Sequence, residues 1–358
     1  MKKNILVVCD VKTWGGWERA QMIQKHLSDE YNIDLMDQEE FKEYERNVSN
    51  FITESEVKQY FRKYNTWQTK QHAYLPDFIK WKRNGVWSKK YDLIYLMFHT
   101  ILAWQEVNRM LVDGHNFISV VTGAPVVKRV FENNKIGDGL KYFQHLANKS
   151  KGVLCNNLIS LKELRSIYNG PTGYIPRGVD PTLFKPQRPY WNAGDEFTVG
   201  FVGKENSGKG LHSIIKPACK KVGLKLEYNE RNYTNALSKE EMVHFYNRIH
   251  VLVVASKTDG TPNPALEAAA CGRPIISVKV GNMPEFIKDG WNGFLLKARH
   301  IDIMAGKLEE LKNNRQLAEE MGKNARKTVL EGWTWEHSME YERKALRHIF
   351  EEMECDLL

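Results

Sequence analysis

A chain of 358 residues is long for a single hydrophobic core, and the scaling of buried surface with size predicts two domains of roughly 150 to 200 residues each. Its 42% apolar and 27% charged residues argue against disorder. The formal charge of +8 is uneven: up to Arg188 there are 28 Lys+Arg against 20 Asp+Glu, and 24 of each afterwards, so the whole excess lies in the first half. The five cysteines are scattered singly with no C-x-x-C pair, which speaks against a disulfide framework or zinc site and for buried thiols in a reducing compartment.

After Met1, Lys2 and Lys3, the apolar run Ile5 to Cys9 ends in Asp10, too short for a signal-peptide core and suited to a buried strand. No run approaches the roughly 20 apolar residues that span a bilayer, which predicts a protein that is cytoplasmic or peripheral to a membrane. The strand leads into a glycine turn, Gly15-Gly16, and then into helical apolar spacing from Glu18 to Leu27. Further strand-length runs lie at Asn32 to Met36, Leu93 to Phe98, Phe117 to Val121, Gly152 to Cys155 and Gly173 to Pro176. Helical patterns separate them, and such alternation predicts a parallel sheet covered by helices on both faces.

The stretch PQRPYWNAGDE, residues 186 to 196, has two prolines, a glycine and no periodicity, and reads as the linker. The pattern then restarts, with strands predicted at Thr198 to Val202, Leu224 to Tyr228, Val251 to Ala255, Pro274 to Val278 and Gly293 to Leu296. Ser238 and Glu241 form a capping box before a helix. A polar helix from about Ala305 to Leu330 and another from about Trp335 to Met353 close the chain. The boundaries are thus a domain over 1–188, a second over 189–335 and a terminal helix over 336–358. Two doubly wound domains face each other across a cleft, and ligands belong at the carboxyl ends of the strands lining it.

The stretch GFVGKENSGKG, residues 200 to 210, satisfies G-x-x-x-x-G-K from Gly203 to Lys209 but has Gly210 where a nucleotide P-loop needs a hydroxyl for magnesium. It sits mid-chain, and the strand VLVVAS runs into Ser256 and Lys257 rather than a metal-binding Asp. Lys204 and Lys209 are instead placed to neutralise a diphosphate directly by charge-assisted hydrogen bonds; a solvated turn is the alternative. Nearby, Asp259 and Glu267 stand eight apart across a Gly-Thr-Pro-Asn-Pro loop, and Pro264 suits the first turn of a helix that Gly272 and Pro274 stop. A helix starting at the cleft offers N–H groups and its positive dipole end to phosphate. Glu267, one turn in, is placed to accept bonds from ribose hydroxyls, and Asp259 is within reach of a sugar. Plain readings stand beside these: Asp259 as a turn former, Glu267 as a solvated helix residue, Glu285 as an acid at its own helix start, and Arg177 as a phosphate contact or a surface ion pair.

These residues resemble the retaining glycosyltransferases of family 4, whose acidic signature E-x7-E reads D-x7-E here, from Asp259 to Glu267, within G-x-P-x-x-x-x-E-A-x-A-x-G-x-P. GGWER at 15–19, YIPRGVDPTLFKP at 174–186, FVGKENSGKG and VGNMPEFIKDGWNGFLL fall in family order, with Glu285 similar to the family's Glu before the last strand, and the resemblance is weak between residues 40 and 115. It implies the GT-B fold, an α/β architecture of two Rossmann-like domains, with the terminal helix returning to the first domain. It implies too that Glu267 holds the nucleotide ribose, Asp259 the donor sugar, and Lys204 with Lys209 the diphosphate. Gly16 then lets the first-domain loop approach the phosphates, and Asn263 and Pro264 lie beside the donor. Three positions depart from the pattern: Asp259 is one methylene short, Lys204 replaces a common Arg, and Thr122 stands where many members place a His. His99, at another strand end, is the substitute candidate beside Thr122, Asp259 and Lys209 for the catalytic set, or else a structural histidine.

The function implied is transfer of a sugar from a nucleoside-diphosphate sugar, UDP-linked by family frequency, with retention, no metal and no cofactor beyond the donor. Acceptor recognition falls to the basic segment 57–90, which carries nine Lys and Arg against Asp77 alone. Arg62, Lys63, Trp67, Lys80, Trp81, Lys82 and Arg83 interleave charge with rings there, which suits an anionic membrane bearing a lipid-linked or cell-surface glycan. The same mixture suits duplex DNA, as in phage-type enzymes that glycosylate hydroxymethylated bases, and a solvated helical face with core aromatics is the plain reading. From another class, a catalytically idle nucleotide- or glycan-binding partner subunit fits the three departures. A GT-B epimerase or phosphorylase is a weaker enzyme reading.

Overall fold

The computed structural model describes residues 2–9, 15–37, 40, 91–97, 116–121, 150–166, 168–192, 195–204, 208–231 and 237–355. Among them are two sheets whose pairings are all parallel. The first joins β1 (Lys3–Val8), β2 (Tyr31–Met36), β3 (Leu93–Leu96), β4 (Phe117–Val121), β5 (Gly152–Cys155) and β6 (Thr172–Tyr174) in the order β2-β1-β3-β4-β5-β6. The second joins β7 (Thr198–Lys204), β8 (Lys225–Arg231), β9 (Val251–Val254), β10 (Ile275–Val278) and β11 (Gly293–Leu296) in the order β11-β10-β9-β7-β8. The unbroken apolar runs are the central strands: LIYL, FISVV, GVLC, VLVV and IISV are buried at every position, as expected where helices cover both faces of a parallel sheet.

Helix α1 (Gly15–Leu27) connects β1 to β2 and begins at the double glycine, so Gly15 and Gly16 lie in its first turn rather than in a turn before it. Helix α2 (Leu158–Arg165) follows β5. After β7 a π-helical turn at Leu211–Ile215 runs into α3 (Lys216–Lys221). Helix α4 (Lys239–Arg248) starts at the capping box: Glu241 N–H donates to Ser238 Oγ at 3.2 Å and Ser238 N–H to Glu241 Oε2 at 2.7 Å. Helix α5 (Asn263–Ala270) follows β9 and the four-residue α6 (Met283–Phe286) follows β10.

The single helix expected from Ala305 to Leu330 is two helices, α7 (Ile301–Asn313) and α8 (Arg315–Gly332). Asn314 divides them: its backbone leaves the helical region at φ −123, ψ 82, and its side chain caps α8 by accepting from Leu317 N–H at 2.9 Å. Asn favours such caps over helix interiors because its amide competes for backbone groups.

Helix α9 (Trp335–Cys355) leaves the second domain and packs on the first, with Leu346 and Ile349 buried among Ile5, Leu27 and Tyr95. Phe350 stacks on Tyr31 with centroids 5.5 Å apart. Under this contact lies a buried charged cluster, in which Arg19 of α1 donates to Glu342 of α9 through Nε at 3.0 Å and also through Nη2, and Tyr95 OH donates to the other carboxylate oxygen. Within the expected linker 186–196, Trp191 stacks on the buried His250 ring at 4.3 Å, and Phe197 just after it at 5.6 Å, so this end of the segment packs on the second domain. Four cysteines are buried as expected and Cys355 is exposed. No helix among the described residues is long and apolar enough to cross a membrane.

Candidate active site

In each sheet the strand order reverses beside the first strand, between β1 and β3 and between β7 and β9, and the crevice outside the carboxyl ends at such a point is where open α/β sheets bind ligands. The loops after β7 and β9 flank the second of these points. Lys204 ends β7, and the loop returns through Gly208 and Lys209 to Gly210, whose φ of +84 is left-handed. A Cβ on Gly210 would lie 2.6 Å from the Ala255 carbonyl oxygen, so only glycine lets this loop approach β9 so closely. Lys257 N–H donates to Gly208 O at 2.8 Å, and Arg299 braces both loops by donating to Ala255 O at 2.7 Å and to Ser213 Oγ at 3.0 Å. Nothing in the sequence pattern singled out Arg299, since its partners lie 44 and 86 residues away.

Lys209 and Asp259, named separately for diphosphate and sugar, meet each other across the crevice with Nζ to Oδ2 at 2.5 Å. Ser256 Oγ donates to the same carboxylate oxygen at 3.3 Å, and Gly260 N–H donates to the other at 3.1 Å. Asn263 and Pro264 are the first two residues of α5, and no side chain caps that helix, so its first turn points its dipole at the crevice uncapped. Glu267 follows one turn later, where Tyr246 OH from α4 donates to its Oε2 at 2.6 Å.

The first domain meets this site through α1. A Cβ on Gly15 would lie 2.9 Å from both Arg177 Nη1 and Asn263 Nδ2, so α1 approaches these side chains closely there, and the neighbouring Gly16 is buried in the first turn of α1. Arg177 is not on the surface, since its side chain is only 11% exposed. It donates to Gly15 O at 2.6 Å, pairs with Glu18 and lies 4.9 Å from the Trp335 ring centroid. Burial pulls the Arg177 pKa below the usual arginine value, with Glu18 and then Glu267 opposing. Burial pushes the Glu18 carboxyl up, but Arg177 and Lys239 of α4, 2.7 Å away, outweigh it and hold it below the ordinary range. Glu18, Arg177, Phe184, Asn263, Leu266 and Glu267 line one pocket at this junction.

A second junction lies at Glu285. It does not serve its own short helix: its Oε1 accepts from Leu158 N–H at 2.6 Å, at the start of α2 in the first domain, and its Oε2 accepts from Tyr174 OH of β6. Burial raises its pKa despite both bonds. Asn157 Nδ2 adds a contact to Gly260 O at 3.4 Å, beside Asp259. Of the remaining residues named from the sequence, His99 and Thr122 and the acceptor set Arg62, Lys63, Trp67, Lys80, Trp81, Lys82 and Arg83 lie outside the described residues.

The group 1 glycosyl transferase family model matches residues 219–328. The chain is 24% identical over 233 residues to an uncharacterized glycosyltransferase of Methanocaldococcus jannaschii, covering 60% of this chain and 63% of that one. It is 27% identical over 158 residues to the capsular polysaccharide biosynthesis glycosyltransferase CapM of Staphylococcus aureus, covering 38% of this chain and 42% of that protein. The chain thus spans less than two thirds of either curated relative. Among solved structures, Anabaena HepE in complex with UDP and glucose superposes with a TM-score of 0.66 at 14% identity, over 97% of this chain and 100% of that one. With two parallel Rossmann-like sheets and a crevice at their carboxyl ends the chain has the GT-B fold, and its second domain carries a segment similar to the group 1 glycosyl transferases.

Proposed function

We propose that this protein transfers a sugar from a nucleoside-diphosphate sugar to an acceptor hydroxyl with retention of anomeric configuration. The observation that carries the reading is the placement of Glu267 one turn into α5, at the switch-point crevice, with the Lys209–Asp259 pair on the facing loops. Glu267 accepts hydrogen bonds from the ribose hydroxyls. On donor binding, Lys209 exchanges its contact with Asp259 for the diphosphate, which frees the Asp259 carboxylate to accept from the sugar's hydroxyls. Lys204 and the first turn of α5 complete the anion site, so transfer asks for no divalent ion.

The acceptor hydroxyl attacks the anomeric carbon on the face from which the nucleoside diphosphate leaves, through an oxocarbenium-like transition state. Negative charge grows on the departing phosphate, and preorganised ammonium groups and helix N–H groups stabilise it most where it develops. The departing phosphate oxygen takes the acceptor's proton, so no protein nucleophile is needed. Contacts across the cleft at Glu18 and Glu285 favour a closed arrangement that keeps water from the donor.

A UDP-linked donor is supported by the UDP and glucose held in HepE, and a cell-surface glycan acceptor by the capsular polysaccharide biosynthesis in which CapM acts. Glu267→Ala tests the reading: transfer from a nucleotide sugar is expected to fall at least about a hundredfold with an unchanged circular dichroism spectrum, as when a group bound through the transition state is removed. Normal turnover by this variant would remove the site.

A further inference from the structure

We propose that Tyr246 is a positioning residue for the donor site, holding the plane of the Glu267 carboxylate for the ribose. The inference rests on the reading of Glu267 as the ribose carboxylate. A glutamate's terminal torsion is broad and roughly two-fold, so a carboxylate that must receive two neighbouring hydroxyls needs something to fix its plane. The 2.6 Å bond from Tyr246 OH engages Oε2 and so restrains the plane of the carboxylate.

The donor is itself immobile. Tyr246 has 0% exposure, and its ring packs on Phe184 and Phe245 with centroids 6.1 and 5.7 Å away. Its chemistry also suits the task. A phenol donates one hydrogen bond to the carboxylate without bringing a charge of its own that would compete for the acceptor as an ion pair. Helix α4 adds a consequence for closure. Lys239 lies seven residues before Tyr246, two turns away on the same stripe, and there it reaches Glu18 of the first domain at 2.7 Å. One rigid helix, its start fixed by the capping box, therefore carries both the contact across the cleft and the group that orients the ribose carboxylate.

Titration calorimetry of the full chain tests this with UDP, ADP and GDP, each against its 2′,3′-dideoxy counterpart, which lacks the hydroxyls that Glu267 would hold. For the nucleotide that binds, the wild type is expected to prefer the ribonucleotide by at least about tenfold, Tyr246→Phe to cut that ratio to about threefold, and Glu267→Gln to abolish it. The double variant is expected to match Glu267→Gln, because Tyr246 acts only through that carboxylate. A Tyr246→Phe protein that keeps the wild-type ratio, whether or not its Tm falls, makes Tyr246 a packing residue and overturns the inference while Glu267 stands. If the wild type shows no preference with any of the three nucleotides, or Glu267→Gln retains it, the reading of Glu267 fails and this inference fails with it.

Discussion

Arg19 and Glu342 pair beneath the terminal helix with 5% and 0% exposure, whereas Lys209 and Asp259 pair at the cleft with side chains 22% and 16% exposed. Both are cation–carboxylate contacts, yet their surroundings give them opposite roles. The first is sealed by Tyr95 and by the packing of α9, and Arg19 also donates to Pro176 O at 3.1 Å, just after β6. Burial would strip Arg19 of its proton, but Glu342 more than compensates and holds its pKa above the ordinary value. Such a pair gains little over an apolar substitute, but it is costly to break once built, and it fixes where α9 docks. The second pair touches solvent and its partners sit on loops, so it costs little to separate, as the proposed handover of Lys209 to a diphosphate requires.

Breaking the buried pair should have the largest effect. Glu342→Gln leaves Arg19 without a counter-charge, and a loss of about 3–5 kcal/mol is expected in urea unfolding at pH 7. The second domain has its own buried titratable ring, and there the arrangement keeps it neutral: burial, then the Arg273 guanidinium, lower His250 from 6.5 to about 4, against the opposing pull of Asp195. A base with a depressed folded pKa stabilises the fold above its unfolded pKa, and that contribution drains away as pH falls from 6.5 through about 4. The full swing is about 3 kcal/mol. Urea midpoints between pH 7 and pH 4 should therefore drop less for His250→Phe than for the wild type, apart from a pH-independent loss because Thr198 N–H no longer has the ring nitrogen as acceptor.

That contrast also marks where sequence reading stopped. The strands were legible because parallel strands buried on both faces are unbroken apolar runs, and the start of α4 because a capping box is complete within four residues. The loop glycines and the D-x7-E spacing located the crevice for the same local reason. Partners were not legible. Arg19 and Glu342 are 323 residues apart, Leu158 and Glu285 are 127, and even Tyr246 and Glu267 are 21 apart on different helices. One of the two readings of Glu285, an acid for its own helix, arose because nothing local pointed to α2, and the surface-pair alternative for Arg177 arose because the residues that bury it, Glu18 and Trp335, come from both ends of the chain. The break at Asn314 was missed because one capping amide interrupts a pattern whose polar periodicity continues on both sides.

At the cleft the order of effects should reverse, with function suffering more than stability. Lys209→Met is expected to lower transfer by about ten- to a hundredfold while shifting unfolding by less than about 1 kcal/mol, because the pair it breaks is accessible to water and the lost interaction is one that grows with leaving-group charge. Asp259→Asn should show the same sign with the loss falling on the sugar, seen as a weaker distinction between a nucleotide sugar and its bare nucleoside diphosphate.

The smallest effect is expected from Lys239→Ala. Its ammonium sits 2.7 Å from Glu18, but the side chain is 56% exposed, and such pairs contribute at most about 0.5 kcal/mol, less as salt rises. Glu18 keeps Arg177 as a partner in the variant, so no buried charge is orphaned. Donor affinity should change less than about twofold at moderate salt, measured by the same calorimetry. A larger loss that disappears in high salt would mean that this exposed contact governs closure, and the division between buried pairs that hold the fold and accessible pairs that yield to ligand would have to be redrawn around α4.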